Sequence, residues 1–219
     1  MKTNGIRNKK IKKELFMKKI EIKKMGLLTA EEVRKLFDSD NIWANKNVYL
    51  ACKISVCMGL RMGEILALKK EDVSDDFISI KKTFTNCYGL NTICLNERKV
   101  PLFREIKIEL DELIKVNYSG YLFSTAGGYK PISRQTIHKH FDMVLEKIGI
   151  SYDERRNRRL CFHSLRMSFI DHLRKYNLQD WKIVSITGIA SKNRLSHLYR
   201  YININFDDVI DIQEKMFVG

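Results

Sequence analysis

The chain is poor in the residues that break or cross-link structure. Two prolines and 11 glycines in 219 residues are too few for a fibrous repeat or a low-complexity linker. No apolar run approaches the ~18 residues of a membrane span, because the richest stretch, "NVYLACKISVCMGL", is broken by Lys53. The N-terminus is basic but has no apolar signal core with a small-residue cleavage site, so secretion is not expected. The five cysteines (Cys52, Cys57, Cys87, Cys94 and Cys161) form no CxxC pair. Neither a zinc site nor a disulfide framework is expected, and a reducing cytoplasm fits best. A P-loop, an HExxH helix and a metal-type carboxylate cluster are also missing, so no metal or other cofactor is called for. What the chain does have is 44% hydrophobic residues, 10% aromatics and a net charge of +14. That describes one domain with a short appendage and a buried core, suited to a polyanionic partner.

The charge is concentrated. Residues 1–25 hold nine lysines and Arg7 against Glu14 and Glu21, a net +8, which leaves +6 on the other 194 residues. Such a block reads as a solvated arm, or as one that follows a nucleic-acid backbone and gains affinity by counterion release. Leu15, Phe16, Ile20 and Ile22 give it weak amphipathicity, which keeps attachment to a membrane surface as a minor alternative. A second cluster, "DERRNRR" at 153–159, reads as an exposed loop.

From residue 27 the pattern becomes globular. "LLTAEEVRKLF" predicts a helix with Thr29 as N-cap and glutamates in the first turn. Further helices are expected over 45–58, then, after a turn at "MGLRMGE", a short one through Leu68, and over 103–116, 134–148 (capped by Ser133), 164–175 and 179–187, with a last stretch ending near 204. "DFISIKKTF" and "NTICLNERKVPLF" alternate as strands of one hairpin around "NCYGLN". The fold class is therefore mainly α with a small antiparallel β-sheet. The tail "FDDVIDIQEKMF" has apolar residues that pack either on its own core or on a neighbouring subunit.

Three features carry chemistry. In "GLRMGE" (59–64) the glycines permit a tight turn that presents Arg61, with Glu64 near enough to orient it; a C-capping glycine beside a surface arginine is the plain alternative. In "HSLR", His163 and Arg166 share a helix face at i, i+3, where imidazole and guanidinium converge on one phosphate; a surface pair is the alternative. "SHLYRYI" offers Tyr199 or Tyr201 as nucleophile, against the ordinary reading of a core aromatic. One mechanism unites them. Two arginines clamp the non-bridging oxygens of a phosphodiester, a tyrosine attacks phosphorus, and a lysine or histidine manages protons.

In order and spacing these segments resemble the tyrosine recombinases, or phage-integrase family, over about residues 27–203. "GLRMGEILALKKEDV" is similar to the first catalytic-arginine motif, "FSTAGGYKPISRQTI" to the loop before the middle helices, "HSLRMSFIDHL" to the second arginine box, and "ITGIASKNRLSHLYRYI" to the closing box. The resemblance implies the family's catalytic-domain fold over 27–205. It makes Arg61 and Arg166 the phosphate-binding arginines, His163 the histidine of the second box, and Tyr199 the nucleophile that forms a 3′-phosphotyrosyl link without metal or ATP. It also implies double-stranded DNA as partner and a homo-oligomer, a tetramer on two DNA sites, associated with DNA in the cytoplasm and not with a membrane.

Three departures stand out. Gly188 is followed by Ile189 where the family usually has histidine or tryptophan, unless His197 or Trp181 reaches in. The family's hairpin lysine position holds Thr92 or Ile93, so Lys82 is the expected substitute, with Lys81 on the other face. The basic arm 1–26 stands where a core-binding domain is usual, and the tail 206–219 is a candidate for docking on a neighbouring subunit. A DNA-binding accessory or regulatory protein that no longer turns over is the competing expectation. An RNA-binding protein recognised by charge alone is a third.

Overall fold

The computed structural model describes residues 26–38, 40–85, 91–116, 120–124, 130–189 and 206–215. The arm 1–25, the hairpin tip 86–90 and the segment 190–205, which contains His197, Tyr199 and Tyr201, lie outside the described residues.

Nine α-helices, two 3-10 turns (Asp40–Ile42 and Lys70–Asp72) and one two-stranded antiparallel sheet make up the described part. The organising element is α2 (Lys46–Met58), capped by the Asn45 side chain, in which ten of thirteen residues are buried. A helix apolar around its whole circumference has to be central, and α2 touches α3 (Met62–Ala67), α4 (Arg104–Val116), α5 (Arg134–Lys147), α7 (Phe162–Lys175) and α9 (Asp207–Glu214). Cys52 and Cys57 lie inside it as free thiols, their ionisation suppressed by burial. At its N-terminal end Phe37, Trp43 and Tyr49 pack ring to ring at 5.8 Å, and the Trp43 indole donates to the Leu36 carbonyl.

Helix α1 (Ala30–Phe37) starts as predicted, with a capping box in which Thr29 and Glu32 satisfy each other's backbone N–H groups. Strand β1 (Phe77–Phe84) pairs with β2 (Asn91–Pro101). Register is regular from Phe77↔Pro101 to Ile80↔Arg98 and resumes at Lys82↔Ile93, so residues 94–97 stand opposite Lys81 alone. Lys81 and Lys82 are both exposed, and Lys81 lies 3.8 Å from Asp72.

"DERRNRR" is not a loop. Tyr152–Arg158 form α6, capped by Ser151, with Asp153 and Glu154 in the first turn and three arginines in the last, the charge order a helix dipole favours. The charge density concealed the cap. Two of these arginines also serve the fold. Arg158 donates to Glu32 (2.6 and 2.8 Å), Glu154 (2.7 Å) and the Leu27 carbonyl (3.0 Å), and Arg155, 7% exposed, pairs with Glu146 and Asp142.

Of the tail, α9 packs on the chain's own core. Val209 and Ile212 are buried, Gln213 donates to the Pro101 carbonyl, and His172 donates to that of Ile212. Helix α8 (Asp180–Thr187) lies between α7 and β2.

The turn from α2 into α3 depends on Gly59, which caps α2 at φ 67°, a conformation that disfavours any side chain. A Cβ there would come within 2.6 Å of the Phe169 ring on α7. Gly59→Ala therefore combines backbone strain with overpacking and should cost about 3 kcal/mol. Urea denaturation checks this, and a loss below about 1 kcal/mol would contradict the packing described.

Candidate active site

Leaving Gly59, the chain buries Leu60 and enters α3 with Arg61 in extended backbone at the N-cap. The carboxylate of Glu64, three residues on and 1% exposed, fixes Arg61 twice. It accepts from the Arg61 backbone N–H at 2.8 Å and from Nη1 at 2.9 Å. Arg61 Nη2 donates to the Gly188 carbonyl at 2.7 Å, and the side chain stays 39% exposed. Glu64 thus orients Arg61, as the spacing in "GLRMGE" predicts.

A second guanidinium completes the arrangement. Arg98 on β2, with its side chain 5% exposed, donates Nη1 to Glu64 Oε1 (2.9 Å) and Nη2 to Oε2 (2.8 Å), a two-pronged pairing. Its Nε donates to the Ile186 carbonyl at 2.6 Å. Burial alone would raise the Glu64 pKa, but the hydrogen bonds and charge of Arg98, then those of Arg61, bring it down to about 2. The sequence reading missed Arg98. The available signal was Glu64 itself: a carboxylate leading directly into the apolar run "ILAL" needs a cation if it is buried with that run.

Gly188 ends α8 at φ 62°, and a Cβ on it would lie 3.2 Å from Arg98 Nη1 and 3.5 Å from Arg61 Nη1. The left-handed φ at this position is the conformation glycine adopts without strain. Ile189 follows, half-buried, its N–H on the Thr187 hydroxyl. It supplies no side-chain donor at the position where the resemblance implies one. Trp181 does not replace it, since its indole donates to Gln179 at the opposite end of α8.

Arg166, on α7 and 1% exposed, donates Nη1 to the Gly59 carbonyl. Its pKa is pushed down to about 9, first by burial and then by the charge of Arg61, with Arg98 adding to the repulsion and Glu64 opposing it. His163, one turn earlier and exposed, has its pKa lowered by partial burial and by the charges of Arg166 and Arg61. Arg61, Arg166 and His163 are therefore close enough to sense one another. Together with Arg98 they form a cluster of three guanidiniums around one carboxylate, an environment that favours an anion.

Lys82 is exposed, and no hydrogen bond or ion pair involves it among the described residues. It pairs with Ile93, which with Thr92 is one of the two positions where the resemblance implies a lysine. The next residue, Thr83, lies against the backbone of Gly63, close to Arg61. Tyr199 lies outside the described residues.

The Glu64 carboxylate makes acid stability a test of this geometry. Its folded pKa of about 2 lies below the ordinary 4.5, so its contribution is full above 4.5 and is lost as pH falls through 2. We expect about 3 kcal/mol to disappear over that window in the wild type and not in Glu64→Gln. Denaturant titrations of both proteins from pH 5 to pH 2 check this; parallel curves would contradict it.

The profile of the phage integrase family matches residues 27–206. No curated protein sequence matches the chain. Among solved structures, it is similar to the Tn1549 transposon integrase in complex with transposon right end DNA, with a TM-score of 0.63 and 20% identity, covering 87% of this chain and 65% of that one. It is also similar to the XerA recombinase (0.59 and 20%, covering 90% and 66%) and to a lambda integrase tetramer bound to a Holliday junction (0.56 and 19%, covering 78% and 48%). The chain thus spans about two thirds or less of the length of these solved proteins. With the family profile extending over most of its residues, and a mainly helical fold with one small antiparallel sheet shared with recombinase catalytic domains, the chain belongs to the phage integrase family, the tyrosine recombinases.

Proposed function

We propose that this protein is a site-specific DNA recombinase that cuts and rejoins strands through a 3′-phosphotyrosyl intermediate. The observation that carries the reading is the cation cluster. Arg166 is buried and repelled by Arg61, while the one carboxylate of the cluster, Glu64, is taken up by Arg61 and Arg98, and a phosphodiester would relieve that imbalance.

In the proposed reaction Arg61 and Arg166 hold the non-bridging oxygens as charge grows on them. The Tyr199 phenol oxygen attacks phosphorus, its proton passes to the neutral His163 imidazole, and the bond to the 5′-oxygen breaks. Lys82 protonates that leaving oxygen. Attack of a partner strand's 5′-hydroxyl on the phosphotyrosine reverses the step and restores the tyrosine, so ATP and metal are not needed. The lowered His163 pKa suits it to accept a proton. Assembly as a homo-oligomer, a tetramer on two DNA sites, is part of the same proposal, as is contact of the +8 arm with phosphates. Among the described residues no helix is long and apolar enough to cross a membrane.

A second reading has one observation in its favour: Ile189 offers no donor beside Gly188. It makes the protein a DNA-binding accessory on the same fold that no longer turns over.

A suicide substrate carrying the recognition site separates the two. Wild type should form a covalent adduct and Tyr199→Phe none; selective binding with no adduct from either would favour the accessory protein. The second-order rate of adduct formation should fall on acidification through a pKa below the ordinary 6.5 of imidazole, because His163 must be neutral to accept the proton. An acid limb retained unchanged in His163→Ala would remove that residue from the role. Deleting residues 1–25 should flatten the salt dependence of DNA binding by several units of log–log slope; an unchanged slope would make the arm passive.

A further inference from the structure

Arg98 is withdrawn from solvent, yet it joins three parts of the proposed site. Its side chain is 5% exposed, and its donors go to both oxygens of Glu64 and to the Ile186 carbonyl. Glu64 holds Arg61 in turn by backbone and side chain, and Arg61 holds the Gly188 carbonyl. The loop of contacts closes on itself, from Arg98 to Glu64, Arg61, Gly188 and back along two residues of backbone to Ile186. Gly188 lies against both guanidiniums, in a left-handed backbone conformation (φ 62°) that favours glycine. The chain leaving this loop after Ile189 is the segment that carries Tyr199 ten residues later. Arg98 also lies at the last regular pair of the hairpin before the irregularity beyond which Lys82 sits.

We propose that Arg98 is a positioning residue: through Glu64 and the carbonyls that end α8, it sets the place of Arg61 and the starting point of the chain leading to the nucleophile. The proposal deepens the strand-transfer reading and rests on it. A guanidinium is needed because only its planar fork serves both carboxylate oxygens and a third acceptor at once. Lysine at 98 keeps the charge beside Glu64 but cannot make all three bonds. Arg61 and the exit from α8 would then lose their common reference, and a displacement near 1 Å at a phosphate clamp costs on the order of 100-fold in rate.

The test compares wild type, Arg98→Lys and Arg98→Gln in three measurements. The first is the single-turnover rate of adduct formation on a suicide substrate. The second is the DNA dissociation constant, and the third is binding of tungstate, a tetrahedral oxyanion, by calorimetry. For Arg98→Lys we expect adduct formation slowed about 100-fold, DNA affinity within about threefold because Arg98 is buried, and tungstate binding weakened about tenfold. A purely structural role would lower the melting temperature but leave the rate and tungstate affinity of the folded fraction at wild-type levels, which would overturn the proposal. So would failure of both variants to fold. Should wild type form no adduct while tungstate binding still depends on Arg98, strand transfer fails as the function but the positioning of the anion site stands. Wild type that binds no tungstate would overturn both.

Discussion

One buried carboxylate organises the site. Glu64 is almost wholly removed from water, and an isolated charge there would be too costly to keep. It is kept because two guanidiniums and a backbone N–H saturate it. Arg61 and Arg98 supply these donors from different parts of the chain, so satisfying the charge also brings the parts together: the turn after α2, strand β2 and, through the carbonyls of Ile186 and Gly188, the end of α8. Removing one partner would leave a buried charge exposed to its neighbours' fields, which is why such networks hold their geometry more firmly than their net energy suggests.

The same arrangement leaves an electrostatic imbalance that gives the site its chemical character. Arg166 is buried with its Nη1 on the Gly59 carbonyl and is repelled by Arg61 and Arg98. The fold tolerates this because α2 and α7 are packed around Gly59, whose missing side chain lets Phe169 close against it. Apolar packing therefore sustains an excess of positive charge that an anion would neutralise. Preorganised charge of this kind stabilises a transition state without reorganisation during the reaction.

Much of this was legible in the sequence, and the gaps have physical reasons. Helix starts at Thr29, Asn45 and Ser133 are local patterns and were readable as such, as was the i, i+3 link between Arg61 and Glu64. Arg98 was not, because it sits in "NERKVPL" among charges typical of a surface strand and meets Glu64 across 34 residues of sequence. Only the cost of burying Glu64 alone pointed to a missing partner. Helix α6 was hidden differently. Its arginines dominate the composition, whereas Ser151 and two acidic residues fix its start, and its arginines bind back onto Glu32 and Glu146. The hairpin register was not readable either, because four residues of β2 oppose Lys81 alone, a change that no strand pattern announces.

The central claim is that this cation cluster serves a covalent step at Tyr199. Trapping the protein on a suicide DNA substrate, digesting the adduct and locating the nucleotide-bearing peptide by mass spectrometry tests it most directly. The account predicts a nucleotide linked to Tyr199 and to no other residue. A linkage at Tyr201, or at any other side chain, would contradict it.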